Sequence, residues 1–239
     1  MSTLQPCPSR PRPPHPAPGP CSGALACRQA APAARAIARV LLAAVILCGS
    51  TAMAHAQQLD LTRRRGSFTE YELARLPAYC RDIQGTPGYN GARGKHWRSM
   101  MGNDLQHMHH YCRGLRDMMF AENPTLKAAD RRFLWERATN EFAYIIRNAR
   151  PRMILMPEVH YRQGEAYLLL DKLGEADKAF RRARELKPDY WPAYTLWADR
   201  LIELRMYDQA RPLLEEGLRH SPGSEEIRQR LAKLPGAPG

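Results

Sequence analysis

The chain has 239 residues, with Lys+Arg 36 against Asp+Glu 24 for a formal net charge of +12, and is 44% hydrophobic and 25% charged. That is too much apolar content and too little net charge for a chain disordered throughout, and the length bounds it to one domain with appendages. It contains no uninterrupted apolar stretch of 18 residues, so nothing reads as a stable membrane span.

Residues 1–56 read as an address rather than as part of the fold. Nine of the 20 prolines precede residue 33, and the five basic residues here (Arg10, Arg12, Arg28, Arg35, Arg39) have no acidic counterpart, which leaves +7 for residues 57–239. The Pro-rich start buries nothing, or is an over-long gene start. A signal-peptide pattern follows: Arg35 and Arg39, the short apolar core Val40 to Leu47, then Ala54-His55-Ala56 as a small-x-small cleavage site. Leu47 is too bulky to precede a lipid-modified Cys48, so no lipoprotein is expected. The alternative is an uncleaved amphipathic anchor. The reading adopted is export to the periplasm, with a mature chain from about Gln57. Four of six cysteines then leave with the leader, and the remaining pair, Cys80 and Cys112, predicts a disulfide in an oxidising compartment.

Residues 57–122 predict a small N-terminal helical segment. Ser67-Phe68-Thr69-Glu70 has the capping-box pattern ahead of a short helix over 68–76 closed by Pro77. Gly85 to Gly94 reads as a loop. A helix is predicted near 96–120, because Trp97, Met101, Leu105, Met108, Cys112, Leu115 and Met119 form one apolar stripe.

The C-terminal half repeats with a period of 34. Gly164 returns as Ala198, Tyr167 as Leu201, Ala176 as Ala210, Phe180 as Leu214, Ala183 as Gly217 and Pro188 as Pro222. Small residues at helix crossings, large apolar ones between helices and a terminating proline describe stacked helical hairpins, which cannot bury their apolar faces singly. Residues 157–224 hold two such units, and 225–239 a capping helix (Leu231 and Leu234 inward) and tail. Stepping back 34 from Tyr167, Phe180 and Ala183 reaches Phe133, Ile146 and Ala149. This predicts a degenerate unit over 123–156, starting at Asn123-Pro124 and stopping at Pro151, with its two helices either separate or merged into one.

These residues resemble the tetratricopeptide repeat (TPR). Its pattern falls on His160, Gln163, Gly164, Tyr167, Ala176, Phe180 and Pro188, then on Tyr194, Trp197, Ala198, Leu201, Ala210, Leu214 and Pro222. His160 and Gln163 stand where the family has Trp and Leu. The resemblance implies an all-α helix-turn-helix solenoid with a groove lined by first helices. Groove-facing positions would be Tyr161, Glu165, Thr195, Asp199 and Glu203, with Arg131 from the degenerate unit. Tyr79-Cys80, the run His107 to Cys112 and the run Leu186 to Pro192 also make the chain similar to a family of exported proteobacterial TPR proteins, from which no activity carries over.

One cluster invites chemistry. His107, His109 and His110, among several methionines, have donors that suit copper, and His107 and His110 at i, i+3 could share an ion. Against this, Met101, Met108 and Met119 are explained as core, and a complete set of three or four ligands is not evident. The sequence contains no G-x-S-x-G, Walker A, H-E-x-x-H or Rossmann glycine pattern. Acidic residues interleave the basic ones in the repeats, which argues against nucleic acid. The expectation is a non-enzymatic periplasmic adaptor without cofactor, binding a protein or peptide of the cell envelope in the groove. The rival is a metal-handling protein using the histidine helix.

Overall fold

The computed structural model describes residues 68–236. The leader, the signal-peptide pattern and Ser67 lie outside them. Among the described residues there is no strand, and no helix is long and apolar enough to cross a membrane.

The N-terminal segment begins with the short helix α1 (Glu70–Arg75), one capping register later than the sequence suggested. Thr69 is the N-cap: its hydroxyl accepts from Glu72 N–H at 3.3 Å, while the Glu72 carboxylate accepts from Thr69 N–H at 2.6 Å. Ser67-x-x-Glu70 and Thr69-x-x-Glu72 differ by two residues, and the second sets Leu73 and Leu76 inward. A single 3-10 turn at Ala78–Arg81 carries Tyr79 and Cys80, and a second at Pro87–Asn90 leads into α2 (Ala92–Met101).

The helix predicted near 96–120 is broken in two. Gly102 has φ 64°, a left-handed conformation that a side chain resists. A Cβ there would stand 2.6 Å from the Arg150 guanidinium, which donates to the Met101 carbonyl at 3.0 Å and, through Nε, to buried Asp104 at 2.8 Å. A 3-10 stretch, Gly102–His107, then joins α2 to α3 (Met108–Ala121). The apolar stripe survives the break, since Met101, Leu105, Met108 and Cys112 are all buried.

Three helical hairpins follow. The first pairs α3 with α4 (Ala128–Asn148), the second α5 (Met156–Leu169) with α6 (Leu173–Leu186), and the third α7 (Pro192–Glu203) with α8 (Tyr207–His220). The last helix of the described residues, α9 (Glu225–Lys233), is capped by the Ser224 hydroxyl and packs on α7 and α8. The helices α6 and α8 both stop two residues short of a proline, at Leu186 and His220, as the restriction on pre-proline residues requires. The turns inside the last two hairpins also keep the period of 34. Asp171 (φ 56°) and Arg205 (φ 59°) are left-handed, and the next N–H of each reaches back to Tyr167 or Leu201, closing Schellman-type ends.

The first hairpin corrects the 123–156 unit. Residues 123–156 hold one continuous 21-residue helix, α4, as the merged alternative has it, but its partner is α3, which lies before the expected unit. A Cβ at Gly114 would lie 2.5 Å from the Phe142 ring, just as one at Gly164 would lie 2.9 Å from Phe180. Phe142 is therefore the counterpart of Phe180, and Ala138 of Ala176, at an offset of 38 rather than 34. The four extra residues lie between the two rings: the α4–α5 connection (149–155) is longer than the α6–α7 one (187–191), and α5 is longer than α7.

One core runs from α1 through α5 and includes Tyr79, Leu105, Tyr111, Phe142 and Val159. A second unites α6 to α9 around Phe180, Trp197, Leu214 and Ile227. The disulfide Cys80–Cys112, with both residues fully buried and Cα atoms 5.8 Å apart, fastens the first 3-10 turn to α3. The pair Arg137–Asp117 ties α4 to α3, with Nε 2.6 Å from a carboxylate oxygen.

Candidate functional site

Each hairpin's first helix touches the next one's: α3 meets α5, α5 meets α7, and α7 meets α9. Stacked in this way, first helices make the continuous wall of the concave surface that such solenoids use for binding.

On α5, Tyr161 lies edge-on to Tyr190 at 5.6 Å and tilts onto Phe180 at 6.0 Å, with the Arg162 guanidinium 5.3 Å from its ring. Burial, and then the Glu165 charge, push its hydroxyl up to about 12. Glu165 accepts from Arg162 Nη1 at 2.9 Å, and Glu158 stands 4.0 Å from Arg162 Nε. Burial works against the Arg162 charge, but Glu165 outweighs it and holds the guanidinium protonated. On α7, Asp199 takes two bonds from Arg230 of α9, both 2.7 Å. Arg200 bridges Glu203 at 2.9 Å and Asp171 at 3.3 Å.

Two expected groove residues are placed elsewhere. Thr195 is buried, and its hydroxyl donates to the Pro192 carbonyl at 3.2 Å, so it offers nothing to a partner. Arg131 sits in the first turn of α4, a second helix, and donates to the Leu126 carbonyl at 3.1 Å. It was assigned to the wall through the 34-residue register that the α3–α4 pairing replaces. Tyr161, Glu165, Asp199 and Glu203 do lie on first helices. Sequence reasoning missed their partners. Arg162 was findable, since it sits at i+4 from Glu158 and i−3 from Glu165. Arg230 carried no local signal, because it reaches Asp199 only through the packing of α9.

The His109 and His110 rings lie 4.3 Å apart, but their Nδ1 atoms are turned to different partners. His109 Nδ1 donates to the Gln106 carbonyl at 2.8 Å, His110 Nδ1 lies 2.5 Å from the Glu141 carboxylate with its ring stacked on Tyr144, and the His107 ring is 5.9 Å from Tyr144. Burial, then the neighbouring His110 and Arg113, lower His109 to about 4. Among the described residues, no group of three or more His, Cys, Asp or Glu side chains is arranged to hold an ion. Met101 and Met108 belong to the core.

His160, in the tryptophan position of the repeat, gives a pH test. Burial, then Arg182, lower its imidazole from 6.5 to about 4. The unfolded chain therefore binds the proton first as pH falls. Stability is complete above about pH 6.5 and is lost progressively toward pH 4. The expected loss attributable to this residue between pH 7 and 5 is on the order of 1–2 kcal/mol. Melting curves of His160→Phe should show a shallower acid slope than the parent; superimposable slopes would contradict it.

A stack of helical hairpins with a continuous first-helix wall defines a repeat scaffold. Family models of the tetratricopeptide repeat match its two C-terminal hairpins and the capping helix, over residues 157–190 and 191–234. No curated protein sequence matches the chain significantly. Two solved structures are similar to it. The first TPR of Spaghetti (RPAP3), bound to the HSP90 peptide SRMEEVD, is 19% identical with a TM-score of 0.37, covering 51% of this chain and 91% of that one. The second TPR domain of human RPAP3, solved by NMR with the HSP70 peptide SGPTIEEVD, is 18% identical with a TM-score of 0.37, covering 52% and 96%.

Proposed function

We propose that this protein is an exported, non-enzymatic adaptor that holds a segment of a cell-envelope protein against the wall of α5, α7 and α9. The observation that carries this reading is the wall itself: tetratricopeptide first helices in succession, bearing Tyr161, Glu165, Asp199 and Glu203. Its carboxylates are matched by the chain's own arginines, so a partner exchanges ion pairs rather than filling vacancies, which favours specificity over raw affinity. Export is supported by the sequence pattern before Gln57 and by a buried disulfide, a cross-link that persists in oxidising compartments.

The experiment is capture from envelope extract. Glu165→Lys with Asp199→Lys sets ammonium groups against Arg162 and Arg230. Stability should fall by about 1 kcal/mol per lost pair, while the helical signal is retained. Capture should be lost, and Glu165→Gln with Asp199→Asn should weaken it less. The triple change His107→Ala, His109→Ala, His110→Ala should leave capture intact. A partner lost by the histidine variant and kept by the wall variants would replace the adaptor reading with the metal one.

A further inference from the structure

Beside the repeat wall lies a cleft of about 750 Å³ that the repeats alone do not form. One side is the segment pinned by the disulfide, contributing Leu76 and Pro77. The floor is Leu115, Met118 and Met119 of α3, and Leu169 of α5 stands at the mouth, 43% exposed. Unbranched methionines adapt to different apolar shapes, so two of them in the floor suit a side chain supplied from outside.

The rim decides the charge of the visitor. Three carboxylates (Glu122, Glu158, Glu165) face two guanidiniums (Arg75, Arg162) on a chain that is basic overall. Each arginine has one bond already made: Arg162 Nη1 to Glu165 at 2.9 Å, and Arg75 Nη1 to the Tyr71 hydroxyl at 2.8 Å. Glu122 and Glu158 meet those guanidiniums only at 3.8 and 4.0 Å. Arg162 Nε and Arg75 Nη2 point at these carboxylates without bonding them, so the rim, with three carboxylates to two guanidiniums, keeps an acidic excess that an arriving cation would offset. Glu165 belongs to the cleft and to the repeat wall, so the two surfaces are continuous.

We propose that this cleft is the anchor site for a partner segment, taking one large aliphatic side chain flanked by Lys or Arg. This deepens the adaptor reading and rests on it. The Cys80–Cys112 cross-link sets one wall of the site, so anchoring belongs to the oxidised protein.

The probe is a capped peptide with a central Leu, two Arg on each side and Gly ends, titrated into oxidised protein carrying isotope-labelled methionine methyl groups. Met118→Leu and Met119→Leu assign the two reporter signals. Those signals should move saturably, and peptides with Ala for Leu, or Glu for Arg, should bind about tenfold more weakly or worse. Leu169→Arg and Glu122→Lys, both at exposed positions, should each weaken binding by a similar factor. The double variant Cys80→Ser, Cys112→Ser should weaken it too. Absence of binding, equal binding of the acidic peptide, or movement of other methionines with Met118 and Met119 silent would overturn the proposal. Envelope capture that is unchanged by Leu169→Arg but lost with the Glu165 and Asp199 reversals would overturn the cleft and leave the adaptor standing. Capture that is indifferent to all of them would overturn both.

Discussion

Removing the Cys80–Cys112 disulfide, by Cys80→Ser with Cys112→Ser or by reduction, should lower the unfolding free energy by on the order of 3–4 kcal/mol. The bond spans a sequence separation of 32, so it removes a large share of the loop-closure entropy available to the unfolded chain. The segment shares the first core through Leu73, Tyr79 and Ile83, but its own regular structure before α2 is slight, a six-residue α1 and two 3-10 turns. The loss should therefore be local as well as global. Hydrogen exchange of Leu73, Tyr79 and Ile83 should accelerate strongly, while α7 to α9, in the second core, should change little. Mass spectrometry of the oxidised protein should show two hydrogens fewer than the reduced form. Two free thiols in protein from an oxidising compartment, or an unchanged melt for the double serine variant, would contradict this.

Phe142→Ala should cost about 3–5 kcal/mol, as should Phe180→Ala. Both rings are fully buried, and each fills the notch left by a glycine on its partner helix, Gly114 and Gly164. Ile146 is the residue a strict period of 34 would make equivalent to Phe180. It is only half-buried, and Ile146→Ala should cost clearly less than Phe142→Ala. Denaturant melts of the three variants thus test the register of the first hairpin directly. A larger loss at Ile146 than at Phe142 would restore the 34-residue spacing and overturn the α3–α4 pairing.

What could be read from the sequence was whatever the chain encodes locally and at constant spacing. The all-α class, the hairpins over 157–224 and the helix after Ser224 follow from apolar and small residues recurring at 34, closed by Pro188 and Pro222. Cys80 and Cys112 were legible as a pair once the leader cysteines were set aside. Only the tertiary structure could decide the first hairpin, because a longer α4–α5 connection and a longer α5 move Phe142 off the period, while its contact with Gly114 is preserved across the α3–α4 pair. It alone could break the helix at Gly102, where Arg150, distant in sequence, occupies the space a side chain would need. The partners of the wall were decided the same way. Asp199 and Arg230 are 31 residues apart and meet only because α9 folds back on α7. Repetition is written into neighbouring residues, whereas a salt bridge between helices or a cleft beneath a pinned segment exists only after the helices have packed.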